Sequence, residues 1–134
     1  MPSPRAPIPV SEWRDPRHIR GLLGEQAALT WLRARGWTLE AHRFRVGRHD
    51  LDLVVRRGGM VAFVEVKTRA GNGFGAAVEA VGWRKRLILH HLAEIWLQRH
   101  GRAGDTYRFD VAAVRWDGQG RQAVELLEDA WRVT

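Results

Sequence analysis

The chain has 134 residues, a formal net charge of +7 and a pI near 11.3. Its length suits one hydrophobic core, and its 45% hydrophobic content is that of a globular protein. It has no cysteine, which excludes disulfides and thiolate zinc sites, and no apolar run long enough to cross a bilayer. The expected setting is the reducing cytoplasm, with no membrane partner and no secretion signal near Met1.

The positive charge favours polyanions, nucleic acid before an anionic membrane surface. A genome biased toward arginine codons would produce the same excess, and charge alone leaves both readings open. Lysine occurs only as Lys67 and Lys85 among the 22 basic residues. A compact ammonium fits beside a metal-bound water where a planar guanidinium would crowd it.

Residues 1–15 hold four of the five prolines and predict a flexible N-terminal arm, followed by a single domain over 16–134. Asp15-Pro16 reads as a helix start, and the helix runs to about Arg35 before Gly36. Glu25 lies in its apolar stripe, with Leu22, Ala28, Leu29 and Leu32 as helical neighbours. A carboxylate there needs a partner or a route to water.

Trp37–Val46 predicts a first strand, and Asp50–Arg56 with Met60–Arg69 predicts a hairpin closed by Gly58-Gly59. Counting outward from that loop, Asp52 faces Glu65 and Asp50 faces Lys67 on one side of the ribbon. Val54 and Phe63 share that side, while Leu51, Leu53, Val55, Ala62, Val64 and Val66 form an apolar face that a helix must cover. Opposed carboxylates about 4.5–5.5 Å apart at Cβ repel unless a proton, a lysine or a metal ion lies between them.

The glycine-rich run Ala70–Ala76 predicts a flexible connection, and a helix follows over Ala77–His100. Tyr107–Trp116 and Gln122–Leu127 predict the last two strands, with a turn at Asp117-Gly118 between them. His90, His91 and His100 lack the spacing of a helical zinc site and read as surface or interface residues. Trp31 and Trp96 read as core. Trp13, Trp116 and Trp131 read as packing residues with base stacking as the alternative. Arg43, Arg45 and Arg48, alternating along a strand, Arg69 on the third strand, and Arg84, Lys85 and Arg86 on the helix are candidate nucleic-acid contacts.

The pattern Asp52, then twelve residues, then Glu65-x-Lys67 has the chemistry of a phosphodiesterase site. Two hard carboxylates, with Asp50 beside them, suit Mg²⁺ or Mn²⁺, which keep waters for reaction. Lys67 could then orient a water or neutralise charge growing on a phosphate. A cross-strand ladder of ion pairs on a solvated sheet would carry the same residues.

Strand–Asp–strand–Glu-x-Lys, after a helix carrying a glutamate, resembles the PD-(D/E)xK nuclease superfamily. More narrowly, Gly21–Ala28, Asp50–Val54, Phe63–Arg69, Phe74–Val81 and Arg108–Val114 resemble, in order, the blocks of the YraN-like family of bacterial proteins. The resemblance implies an α/β fold with a restriction-endonuclease-like core, a mixed central sheet of about five strands flanked by two main helices, similar to Holliday-junction resolvases. It implies a Mg²⁺- or Mn²⁺-dependent endonuclease acting on DNA rather than RNA, including branched DNA. Asp52 and Glu65 would be metal ligands, Lys67 the catalytic lysine, and Glu25 an auxiliary carboxylate, with Lys85 nearby. The family usually has Gly-Glu-Ile-Asp where this chain has His49-Asp50-Leu51-Asp52, so Asp50 keeps the charge with a shorter reach. A homodimer would give two sites for two strands. The alternatives are a nucleic-acid-binding module without catalysis and a protein-interaction domain.

Overall fold

Seven elements form among the described residues, in the order that the hydrophobic pattern predicts. The computed structural model describes residues 16–70 and 81–132. Helix α1 (Pro16–Arg33) is followed by strands β1 (Thr38–Val46), β2 (His49–Arg57) and β3 (Met60–Ala70). Helix α2 (Trp83–His100) then leads to β4 (Thr106–Trp116) and β5 (Gln122–Trp131). The five strands make one mixed sheet in the order β1-β2-β3-β4-β5, parallel only between β3 and β4. A parallel neighbour needs a crossover, and α2 lies in it. The expected arm over 1–15, the glycine-rich run 71–76 and residues 77–80 of the expected second helix lie outside the described residues. Among the described residues no helix is long and apolar enough to cross a membrane.

Alternation along the strands sends successive side chains to opposite faces. Leu53, Val55, Ala62, Val64, Ala112 and Val114 pack under α1 against Ala28, Leu29, Leu32 and Trp37. Val54, Val61, Phe63, Phe109, Val111 and Ala113 pack under α2 against Leu89, Leu92, Ala93 and Trp96. Helix α1 stops in a Schellman motif, with Gly36 N–H on Arg33 O (3.1 Å) and Trp37 N–H on Leu32 O (3.2 Å). The accompanying apolar contact is present, because Leu32 and Trp37 belong to the same core cluster.

Three expectations change. Leu51 joins the α2-side core instead of lining up with Leu53, because alternation breaks around Asp52. The same break occurs opposite it on β1, where Arg43 takes a φ of 53°. His42 then bonds toward α1 and Phe44 packs on the α2 side. Val81 and Gly82 precede α2 rather than belonging to it; Gly82 is extended (φ −67°, ψ 165°), in keeping with the poor helix propensity of glycine. Strand β5 runs on to Trp131, past an irregularity opposite Phe109 and Val111. There the buried Asp110 carboxylate accepts the Asp129 N–H (2.9 Å), a side-chain substitute for a ladder bond that strand propensity does not foretell.

The close approach of α1 to the sheet depends on Gly24. A Cβ at this position would collide with the Thr68 hydroxyl, while Val66 lies in ordinary contact. Gly24→Ala gains helix propensity but must displace a β-branched side chain at the margin of the site. We expect Gly24→Ala to lower unfolding stability by about 1–3 kcal/mol. Thr68→Ala in the same chain should recover most of that loss. Chemical denaturation of both variants tests this, and an equally unstable double variant would refute the contact.

Candidate functional site

The carboxylates of Asp52 and Glu65 meet where β2 and β3 part. The ladder between these strands runs from Arg57↔Met60 to Leu53↔Val64, the register that a two-residue Gly58-Gly59 loop dictates. One step further, Asp52 N–H donates to Glu65 Oε1 (3.4 Å) and Val66 N–H donates to Asp52 Oδ2 (2.8 Å). Each carboxylate thus stands in for a backbone acceptor as the strands separate. Among the described residues, Asp52 Oδ1 and Glu65 Oε2 accept no hydrogen bond.

Glu65 is buried and Asp52 is half-buried. Burial pushes the Asp52 carboxyl up to about 6, and the nearby charge of Glu25 adds to the rise. Burial pushes Glu65 up to about 8, and Asp52 adds to it. The charges of Lys67 and Lys85 pull both carboxyls the other way without cancelling the rise. The pair carries more negative charge than its surroundings balance, so it favours a bound proton or a cation.

The other predicted residues are placed differently. Glu25 is buried at 5% exposure and does not reach water. Its Oε1 accepts from His42 Nε2 (2.9 Å) and Arg43 Nε (2.9 Å), and its Oε2 accepts from Arg43 Nη2 (2.8 Å). Burial alone would raise this carboxyl, but the bonds from Arg43 and His42 hold it below the usual range. The break in alternation at Arg43 lets two consecutive residues reach one glutamate, at a backbone cost of about 1–3 kcal/mol. Asp50 does not face Lys67 across a ladder. It pairs with Arg45 on β1, whose guanidinium holds its carboxylate (2.9 and 3.4 Å).

Of the predicted nucleic-acid contacts, Arg43 is thus tied to Glu25 and Arg45 to Asp50. Arg48 is exposed in the turn between β1 and β2, and Arg84 is exposed at the start of α2. Lys85 is half-buried, and Arg86 donates to Val81 O (2.7 Å). Arg69 is the penultimate residue of β3, with its side chain outside the described set. Trp96 and Trp131 are buried, and Trp31 and Trp116 pack against the α1-side core. His90 pairs with Glu94 (2.7 Å), and His100 packs on Trp96.

Sequence reasoning missed His42 and Trp83. A histidine beside an arginine on the strand following a helix with a buried glutamate was a usable signal for the first. Nothing local distinguishes Trp83 from the buried tryptophans. A cleft of about 540 Å³ opens between Met60, Tyr107, Phe109 and Trp131, and neither acid lines it.

Among the described residues no three His, Asp or Glu side chains gather closely enough to cage a metal. The donor set still fits one kind of ion. Mg²⁺ and Mn²⁺ commonly bind through one or two carboxylates and complete their shell with water and phosphate. Two carboxylates with one uncommitted oxygen each meet that need, and a zinc cage would not form from them.

The raised carboxyls set a pH dependence. A carboxyl whose folded value exceeds its unfolded value keeps protons that unfolding releases, so stability falls as pH rises between the two values. In chelator-treated buffer, unfolding stability should therefore decline from about pH 4.5 toward pH 8. Glu65→Gln should flatten that decline and raise stability at pH 8. Thermal melts across this range check it, and a wild-type stability that rises with pH would contradict the buried-pair geometry.

The family model of "Uncharacterised protein family UPF0102" matches residues 24–114. The chain is 40% identical to a UPF0102 protein of Moorella thermoacetica over 86% of its own length and 97% of the relative's. It is 39% identical to one from Pelotomaculum thermopropionicum, over 87% of this chain and 98% of that one. Among solved structures, one from a CdiA-CT/CdiI toxin and immunity complex of Burkholderia pseudomallei is similar at a TM-score of 0.44 and 14% identity. That likeness covers 90% of this chain and 95% of the other. Both the family match and these near-full-length relatives lead to one assignment: the chain belongs to UPF0102, the YraN-like family.

Proposed function

We propose that the chain is a metal-dependent endonuclease that hydrolyses phosphodiester bonds in DNA, with Asp52, Glu65 and Lys67 at its centre. The observation that carries the reading is the pair of adjoining carboxylates, one buried and one half-buried, each with an oxygen unused within the described residues. A structural ion pair would be balanced, and this pair is not.

Asp52 and Glu65 would hold Mg²⁺ or Mn²⁺. The ion would supply a more acidic water and charge to offset that of the phosphate. Lys67 follows Glu65 by two residues on β3 and so projects to the same side. Its ammonium would donate to the phosphate as negative charge grows on the non-bridging oxygens. Lys85 would approach from α2 and add charge to the same region. Asp50, held by Arg45, would tune the local field rather than bind the ion. Glu25 would act through Arg43 and His42, as a positioning residue for β1 beside Asp52. Arg48 and Arg84 would bind flanking phosphates.

Incubation with duplex, nicked, flapped, single-stranded and four-way DNA in Mg²⁺ or Mn²⁺ tests the activity. Cleavage should fall about 10²–10⁴-fold in Lys67→Ala, and at least as far in Asp52→Asn and Glu65→Gln. No cutting of any substrate by the wild type would refute the enzyme reading. Salt-sensitive DNA binding, unchanged in Asp52→Asn, would then favour a binding module.

The ion has its own test. Mn²⁺ at 100 times its dissociation constant should stabilise the wild type by about 2.7 kcal/mol, and Glu65→Gln should lose this gain. Equal stabilisation of both chains would place the ion elsewhere.

A further inference from the structure

We infer that Trp83 is a base-stacking residue, so that the nucleic acid at the Asp52–Glu65 site presents an unpaired base beside its reacting phosphate. This rests on the nuclease reading above and narrows its substrate to strands with exposed base faces.

Trp83 opens α2 and is 67% exposed, more than any other large hydrophobic among the described residues. Trp37, Trp96 and Trp131 are buried, and Trp31 and Trp116 are packed against the core. Leu87, one turn further along the helix, is also exposed and extends the apolar strip. The Arg84 guanidinium lies 5.4 Å from the Trp83 ring centroid, a cation beside a π face.

The turn that carries Trp83 is anchored near the acids: Val81, two residues before Trp83, is buried in one core cluster with Leu51 and Phe63, the near neighbours of Asp52 and Glu65 on their strands. The same turn goes against helix electrostatics. A helix N-terminus is the positive end of the dipole and favours acidic residues, yet this one has none in its first turn and carries Arg84, Lys85 and Arg86. Such an arrangement becomes favourable when an anion lies against it. An exposed indole and a basic turn together match a polyanion that also has flat apolar faces. Single-stranded nucleic acid is that ligand, since stacking needs a base face that a duplex keeps covered.

The test uses the full chain carrying Glu65→Gln, with labelled single-stranded and duplex DNA of equal length, followed by fluorescence anisotropy. Trp83→Ala should weaken single-strand binding about 5- to 150-fold. Trp83→Phe should keep most of the affinity, and duplex binding should change less than about twofold, because only exposed base faces stack. An oligonucleotide carrying 2-aminopurine should be quenched by the Trp83 protein and not by Trp83→Ala. Unchanged single-strand affinity, or an equal loss on both DNAs, would overturn the inference. So would a shift in sedimentation with DNA affinity unchanged, which would make Trp83 a contact between copies. Failure of the wild type to cut any DNA would count against the nuclease reading alone, since these binding measurements do not require cleavage.

Discussion

Everything proposed for this chain depends on a fork in the sheet held open by two carboxylates. As β2 leaves β3, Asp52 and Glu65 bind backbone N–H groups that strand pairing would otherwise satisfy. Backbone donors in a folded core require acceptors, so the acids are held in place by the needs of the main chain. Their other oxygens accept no hydrogen bond among the described residues, in a setting that raises both carboxyls. The same two residues therefore anchor the fork and create a localised excess of negative charge. Gly24 contributes by letting α1 settle against Val66 and Thr68 on the strand that carries Glu65 and Lys67.

A contrast within the molecule shows what balanced charge looks like here. At the other end of β2, buried Arg56 binds Glu40 (2.6 Å) and both oxygens of Asp105 (2.6 and 2.9 Å). The Arg56 guanidinium holds the Asp105 carboxyl down to about 2. Glu25 is similarly matched by Arg43 and His42, and its carboxyl is lowered despite burial. These clusters are networks whose charges meet opposite charges at hydrogen-bond distance, as burial demands. Asp52 and Glu65 depart from that pattern within the same small domain. Local rules are broken most often where a site must stay ready for a ligand.

The Glu25 node links α1 to the fork. Arg43 adopts a left-handed backbone conformation and puts its guanidinium on Glu25, next to Asp52. The conformation reverses strand alternation, which sends Phe44 and Leu51 to the α2 side. The helix glutamate, the β1 irregularity and the divided core are one coupled feature. On the other face of the sheet, Val81 ahead of α2 is buried with Leu51 and Phe63, and the charge of Lys85 in the first turn opposes the rise of the same acids.

The sequence by itself determined the α/β pattern, the five strands and the register that opposes Asp52 to Glu65. These rest on short-range physics: strand and helix periodicities, and a two-residue glycine loop that leaves little freedom in how adjoining strands pair. The break at Asp52, the partners of Glu25 and Asp50, the extension of β5 and the exposure of Trp83 were decided by tertiary structure. Glu25 had to be packed against β1 before Arg43 could find it, and Asp50 chose Arg45 because β2 pairs with β1 where it has left β3. A charged side chain takes whichever opposite charge packing brings within a few ångströms, and local sequence spacing does not encode that distance.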